Sequence, residues 1–312
     1  MKKVKVHSVV TIAVFTSLVA IVFFEARTGR GQSQNQKNDS QNLKSESLVK
    51  PTVLATDRAA TKEAPISPFA EAAARNLVLR NDLTWTFGNK QQHGWYLYDL
   101  LIGQTLNIPP ATATPDFSSA VSTWQKQKGL SPNGVLDESS WMALVSQWQA
   151  DRLKNKTPAT PDQLLTAPPS DFYDPERLPE LRQVERATYA AYKAMLAAAI
   201  ADPTLKLAHT PQGELAPTEK YFKIVSSFRS REYQEQLRRQ SPGAGSAGLA
   251  MNSPHFTGRA LDLYVGGDPV DTKDSNRAIQ VQTPAYQWLV RNAARFGFRP
   301  YFYEPWHWEY VK

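Results

Sequence analysis

The chain has 312 residues, of which 41% are hydrophobic and eight are tryptophan, so it is long enough for two modest folded domains. Its net charge of +7 is mild for this length, and it is not clustered, which argues against a nucleic-acid-binding protein. The sequence contains no cysteine, which excludes disulfides, thiolate metal sites and cysteine nucleophiles.

An uncharged, apolar run near the N-terminus extends from Ser8 to Phe24 and follows three lysines. A helix rises about 1.5 Å per residue, so this run is near the short limit for crossing a bilayer. A buried core helix is the alternative, but the run has no polar face. Because no small-residue cleavage signature follows it, an uncleaved signal anchor over residues 1–28 is favoured over a cleaved signal peptide. The rest of the chain is therefore expected to be exported and held at the cell envelope.

Composition and periodicity divide the remainder of the chain into four segments. Residues 29–67 are polar and poor in core-forming side chains, which is typical of a disordered tether. Residues 68–152 carry helical patterns and are predicted to form a small helical domain. Residues 153–180 are rich in proline and are predicted to be a semi-rigid linker. Residues 181–312 are predicted to form the C-terminal domain.

Along the chain, helical patterns come first, and strand-like patterns follow among the helices of the C-terminal domain. Its predicted elements are a helix over 181–202 ended by Asp202-Pro203, a strand over 221–228, a helix over 229–240, a glycine-rich loop over 241–248, a strand over 259–265, a helix from 283 ended by Gly297, and an aromatic terminal strand. This order predicts an α+β fold with a small antiparallel sheet and flanking helices.

The helical segment 68–152 has a distinct turn-helix pattern in its second half. Val121 and Trp124 lie on one helical face, and Asn133-Gly134 supplies a turn with positive φ before a helix through Trp141. This stretch resembles the small helical peptidoglycan-binding domain found at the ends of many wall hydrolases. The resemblance implies binding of glycan or stem peptides. A generic three-helix packing unit without a ligand is the alternative.

Three short stretches near the C-terminus carry residue types suited to a metal site. They are SSFRS (226–230), SPHFTGRALD (253–262) and EPWH (304–307). A single Glu-x-x-His or an isolated histidine is weak evidence, but all three stretches occur here in one order. Together they resemble the zinc D-alanyl-D-alanine carboxypeptidases of the VanY type, within a wider group that includes peptidoglycan endopeptidases and the hedgehog signalling fold. The resemblance covers about residues 181–312.

The resemblance implies one Zn2+ ion in the C-terminal domain. The implied ligands are His255, Asp262 and His307. It further implies Glu304 as the general base, Arg229 as a clamp for the oxyanion and substrate, and Ser253 as a contact to the substrate carboxylate. Two imidazoles and one carboxylate leave a fourth tetrahedral position open for water, as catalytic zinc sites require.

Local backbone chemistry is compatible with these roles. Gly258 allows a tight bend between the first histidine and the aspartate. Pro305 biases Glu304 towards an extended backbone, so Glu304 is predicted on the loop entering the last strand, with His307 at the start of that strand. Glu309 is a rival base or a partner that orients an imidazole, and Arg231 is a rival to Arg229.

The sequence thus predicts an exported zinc peptidase that acts on peptidoglycan stem peptides, most simply by removing a terminal D-alanine. One alternative is an endopeptidase that cuts within cross-links. Another is a non-catalytic, zinc-containing wall-binding protein. The expected partners are stem peptides and glycan, with the membrane contacted by the N-terminal segment. The segments 205–224 and 266–282 are insertions expected to wall the cleft.

Overall fold

The computed structural model describes residues 67–110, 114–240 and 252–312. All of these residues belong to one compact unit, 62–312. The predicted signal anchor, the tether up to residue 66 and the glycine-rich loop lie outside the described residues. Within the described ranges, no helix is both long and apolar enough to cross a membrane.

Four helices and one hairpin form the first part of this unit. They are α1 (Ala70–Asp82), β1 (Thr84–Phe87), β2 (Lys90–His93), α2 (Asp99–Leu106), α3 (Pro115–Gln127) and α4 (Glu138–Ala150). The last two helices begin at side-chain caps: Thr114 accepts a hydrogen bond from the Phe117 amide, and Asp137 accepts one from the Ser140 amide. The helical character predicted for this segment is confirmed.

The hairpin of β1 and β2 was not predicted. Its turn is Gly88-Asn89, and both residues have positive φ, at 57° and 62°. A two-residue turn of this kind matches the right-handed twist of the strands it joins. The Gly-Asn pair was therefore a usable sequence signal.

The predicted Asn133-Gly134 turn is present and is held by two buried amide side chains. Gly134 has a φ of 73°, and its amide donates to Gln125 Oε1 at 2.9 Å. Asn76 on α1 donates to the Gly134 carbonyl at 2.8 Å and accepts from the Leu136 amide at 2.7 Å. The turn thereby joins α1, α3 and the start of α4.

The C-terminal part has an α+β fold, as predicted. Its helices are α5 (Arg186–Ile200), α6 (Arg231–Gln240), α7 (Asp274–Gln282) and α8 (Pro284–Asn292). Its main sheet is antiparallel, in the order β5-β6-β8-β7, and consists of β5 (Ile224–Ser226), β6 (Ala260–Leu263), β7 (Phe298–Pro300) and β8 (His307–Tyr310). A second, two-stranded sheet pairs β3 (Leu164–Thr166) with β4 (Gln183–Glu185).

One predicted helix needs correction, and one helix was not predicted. The helix predicted from residue 181 begins at Arg186, because 183–185 pair with β3 and the Glu185 side chain caps the helix by accepting from the Thr188 amide at 2.7 Å. Its end just before Asp202-Pro203 is confirmed. The insertion 266–282 contains α7, which was not predicted.

The proline-rich segment, predicted to be a semi-rigid linker, contacts the C-terminal region through its backbone. It contributes β3, and Phe172 forms a parallel bridge with Ile224 of β5. The Ala159 amide also donates to the Phe256 carbonyl at 2.9 Å. The predicted domain boundaries themselves stay a prediction.

The helical segment and the C-terminal region share one hydrophobic core. Phe302, only 2% exposed, lies among rings of the helical segment, with centroids 4.9 Å from Phe87, 5.6 Å from Tyr98 and 5.8 Å from Trp148. Burial of aromatic surface is a large source of stabilisation, so this contact fixes the two parts against each other. It brings the end of α4 beside β8.

Candidate metal centre

A short loop and strand β6 place His255 and Asp262. Ser253 begins a 3-10 turn over Pro254–Thr257, and its Oγ accepts from the His255 amide at 3.3 Å. Gly258, with a φ of 65°, ends that turn and directs the chain into β6. Both the histidine and the aspartate are buried, so the bend converts a sequence separation of seven residues into direct proximity.

Strand pairing brings His307 to the same point. Asp262 and His307 are register partners across β6 and β8, although they are 45 residues apart in the sequence. Glu304 lies in the turn that enters β8, and its carbonyl accepts from the His307 amide at 2.9 Å. Glu304 therefore occupies the loop and His307 the first position of the strand, as Pro305 predicts.

One atom from each of His255, Asp262 and His307 lies within 4.8 Å of the others. Asp262 Oδ1 is 3.3 Å from His255 Nε2 and 2.9 Å from His307 Nδ1. The opposite ring nitrogens are engaged elsewhere: His255 Nδ1 contacts the Ser227 carbonyl at 2.7 Å, and His307 Nε2 contacts Glu309 Oε1 at 3.1 Å.

This donor set fits a zinc ion. Two imidazoles and a carboxylate are a common set of ligands at catalytic zinc sites. Ligating histidines also usually donate their second ring N–H to a carbonyl or carboxylate, which fixes the tautomer. His255 and His307 both have such a partner, and the nitrogens left to bind a cation face Asp262.

The charge state of the cluster follows from its burial and its contacts. Burial, together with the nearby positive charge of Arg229, lowers the pKa of His255 to about 4. Burial acts to raise the pKa of Asp262, but His255, His307 and Arg229 outweigh it and hold the pKa well below its ordinary value. At neutral pH, His255 is therefore neutral and Asp262 is an anion, which are the forms that bind a metal ion.

Glu304 is a buried carboxyl group beside this cluster. It is 8% exposed, and its Oε2 lies 4.0 Å from His307 Nδ1. Burial is the main cause that raises the pKa of Glu304; His307 opposes the rise and Asp262 supports it, and the resulting pKa is about 7. The group can therefore gain or lose a proton near neutral pH.

Of the two candidate arginines, the structure brings Arg229 to the cluster. Its Nη2 donates to Asp262 Oδ2 at 2.7 Å and its Nε donates to Ser226 Oγ at 3.0 Å. Arg231 is exposed, and its guanidinium lies over the Phe256 ring, 5.0 Å from the centroid. Of the histidines outside the motifs, His93 and His209 are exposed, and His7 lies outside the described residues.

Sequence reasoning missed two groups that support the ligands. The first is the Ser227 carbonyl, because a backbone acceptor has no sequence signal. The second is Arg152, which donates to Glu309 from 157 residues away. In the sequence, Glu309 was the one indication that His307 has a supporting partner. Side chains alternate along a strand, so Glu309 lies on the same face of β8 as His307.

One family model matches the C-terminal part of the chain. Residues 183–312 match the family model described as "VanY: D-alanyl-D-alanine carboxypeptidase". Residues 183–312 are VanY-like. The resemblance predicted from the three motifs is thus confirmed over this segment, which is less than half of the chain. No curated protein gave a match.

Several solved structures are also similar to this chain. The LdcB LD-carboxypeptidase, from a study of peptidoglycan recognition, is 22% identical with a TM-score of 0.33, over 49% of this chain and 70% of that one. A zinc complex of a VanY D,D-pentapeptidase variant from a VanB-type vancomycin resistance cassette is 18% identical with a TM-score of 0.29, over 53% and 89%. VanYB in complex with D-alanine-D-alanine is 21% identical with a TM-score of 0.26, over 42% and 72%. At these TM-scores, the likenesses add no argument to the family match.

Gly258 in the VanY-like segment is expected to be intolerant of a side chain. A Cβ there would lie 2.8 Å from Leu164 Cδ2 and 2.9 Å from the Glu185 amide nitrogen, at a positive φ. Gly258→Ala should therefore lower the free energy of unfolding by about 2–4 kcal/mol, combining the left-handed backbone cost with overpacking. Gly213→Ala is the matched control, because it has a φ of 78° with no atom within 4 Å of its Cβ. Chemical denaturation of both variants checks the prediction, and equal losses would contradict it.

Zinc affinity of the VanY-like segment is expected to rise with pH. Burial acts to lower the pKa of His307, but hydrogen bonds to Asp262 and Glu309 outweigh it and raise the pKa to about 9. The imidazole is therefore protonated at neutral pH, and a metal ion must displace that proton, so affinity should rise up to about tenfold per pH unit below pH ~9. Chelator competition from about pH 6 to 8 measures the slope, and calorimetry in two buffers counts the released proton. An affinity independent of pH would contradict the expectation.

Proposed function

We propose that this protein is a zinc-dependent peptidase that hydrolyses peptidoglycan stem peptides, most simply as a D-alanyl-D-alanine carboxypeptidase that releases the terminal D-alanine. The observation that carries the proposal is the buried cluster of His255, Asp262 and His307 with Glu304 beside it. The family match of residues 183–312 supports the choice of substrate class.

The three proposed ligands and Glu304 have different roles in hydrolysis. A zinc ion held by the three ligands would polarise the scissile carbonyl and lower the pKa of a water molecule towards about 7. Glu304 takes a proton from the attacking water and passes it to the amine of the departing D-alanine as the amide C–N bond breaks. Its pKa of about 7 suits both halves of that transfer.

Arg229 and Ser253 are proposed to orient the substrate. Ser226 and Asp262 fix the guanidinium of Arg229 through Nε and Nη2. Arginine has five N–H donors, so these bonds leave others for the oxyanion that forms on the scissile carbonyl. Ser253 Oγ accepts from the His255 amide, and its hydroxyl can still donate to the substrate's terminal carboxylate.

A non-catalytic zinc-binding protein is the less favoured alternative. A purely structural site does not need a buried carboxyl group that titrates near pH 7, and burying one costs free energy. The position and raised pKa of Glu304 therefore favour an enzyme.

The rest of the chain is proposed to deliver this site to the wall. Residues 1–28 would anchor the protein in the membrane and residues 29–67 would act as a tether. The helical segment 68–152 would bind glycan or stem peptides. The support for these roles is the sequence pattern: an apolar run, a polar stretch and the turn-helix resemblance, in that order.

The test is incubation of the purified full-length chain with a pentapeptide stem ending in D-alanyl-D-alanine. We expect release of D-alanine that a chelator stops and added Zn2+ restores. A matched peptide ending in L-alanine should be cleaved much more slowly. Internal cleavage of a cross-linked dimer without D-alanine release would assign the endopeptidase alternative. Absence of any cleavage with every divalent cation would contradict the proposal.

A further inference from the structure

Glu309 is held from outside the VanY-like segment. Arg152, two residues beyond the end of α4, donates to Glu309 Oε1 from Nε at 3.0 Å and also from Nη2. The Leu153 amide donates to Glu309 Oε2 at 2.9 Å. Both carboxylate oxygens are thus bound by the last residue of the helical segment and the first residue of the proline-rich segment.

Glu309 in turn contacts a candidate metal ligand. It is fully buried, and the same Oε1 that accepts from Arg152 lies 3.1 Å from His307 Nε2. His307 Nδ1 faces Asp262 Oδ1 at 2.9 Å. A continuous series of contacts therefore runs from Arg152 through Glu309 to the metal-binding edge of His307.

Arg152 is itself held in place. Its guanidinium lies over the Tyr301 ring, 3.9 Å from the centroid, and Nη1 donates to Gln149 Oε1 at 2.9 Å. The side chain is 15% exposed. A half-buried arginine that is bound on three sides fixes its partner more firmly than a mobile surface ion pair does.

We propose that Arg152 is a positioning residue for the metal centre: it fixes Glu309, which fixes the ring orientation and tautomer of His307. This inference rests on the proposed function for the role of His307 as a ligand. Outer partners of ligating histidines commonly change metal affinity about 10- to 100-fold. The metal centre would then extend beyond residues 183–312, and the helical segment would complete it.

The experiment measures Zn2+ affinity of full-length variants by chelator competition, together with thermal unfolding and D-alanine release. The variants are Arg152→Met, Arg152→Lys, Glu309→Gln and the double variant Arg152→Met/Glu309→Gln. Gln104→Ala is the docking control, because Gln104 on α2 donates to the Val290 carbonyl of α8 at 2.7 Å and does not contact the metal centre.

We expect Arg152→Met to weaken Zn2+ binding about tenfold and Arg152→Lys to weaken it less. The double variant should bind no more weakly than Glu309→Gln alone, because Arg152 acts through Glu309. Saturating Zn2+ should restore most of the turnover of Arg152→Met. Gln104→Ala should lower the unfolding temperature without changing Zn2+ affinity.

Two results would overturn the inference: a folded Arg152→Met with wild-type affinity, or a double variant whose loss is the product of the two single losses. Should Arg152→Met fail to fold, Arg152→Lys decides, and unchanged affinity in that variant overturns the inference. A wild-type chain that binds Zn2+ tightly but releases no D-alanine would refute the proposed function, while the affinities would still decide the role of Arg152. A wild-type chain without a tight zinc site would refute both.

Discussion

Replacing Glu304 by glutamine is expected to lower kcat/KM for D-alanine release by about 10²–10⁴-fold, the usual contribution of a general acid-base group. The amide has nearly the same shape as the carboxyl but cannot carry a proton from water to the leaving amine. Because Glu304 is not among the three proposed ligands, Zn2+ affinity should change little. Steady-state kinetics with the pentapeptide stem, together with chelator competition on the same preparation, measures both quantities.

The control for this substitution is Glu71→Gln, which makes the same chemical change on the exposed surface of α1. It should leave both turnover and zinc affinity unaltered. A Glu304→Gln variant that retains turnover within a few fold of wild type would show that the proton is carried by another group. Glu309 would then be the next carboxylate to test.

Replacing His307 by alanine is expected to have the second large effect. The change removes one of the three proposed ligands and leaves Asp262 and Glu309 without the imidazole between them. Zinc should be lost on dialysis, and turnover should fall at least about 10³-fold, because bound zinc supplies several kcal/mol of transition-state stabilisation. Metal analysis after dialysis and an assay of D-alanine release measure these losses.

The matched control is His209→Ala. His209 is exposed in a loop, and its ring contacts the Thr210 carbonyl through Nδ1. It should bind zinc and turn over as wild type does. Circular dichroism establishes that both variants are folded. A folded His307→Ala variant that keeps one zinc ion through dialysis would rule out His307 as a ligand.

The features predicted well from the sequence are those set by local backbone chemistry. Asp202-Pro203 ends α5 because a proline disfavours helix in the residue before it. Pro305 similarly keeps Glu304 in a turn and leaves His307 to begin β8. Gly258 has the positive φ that the bend between His255 and Asp262 requires. In each case, one residue restricts its neighbours enough to fix the local geometry.

The features that were missed depend on contacts between distant parts of the chain. Helix propensity alone predicts that α5 begins at residue 181, but pairing with β3 and the cap at Glu185 delay its start to Arg186. The proline-rich segment looks like a spacer until Phe172 is placed beside β5. Arg152 carries no local sign that it meets Glu309, because that contact depends on the docking of α4 against β8.

The most direct test of the account is a zinc titration of the purified, folded full-length chain, with wild type and Asp262→Asn compared side by side. Asp262 contacts both His255 and His307, so it is the centre of the cluster. We expect one tightly bound zinc ion per wild-type chain and a large loss of affinity in the variant. A folded wild-type chain that binds no zinc tightly, or a variant that binds it equally well, would contradict this expectation.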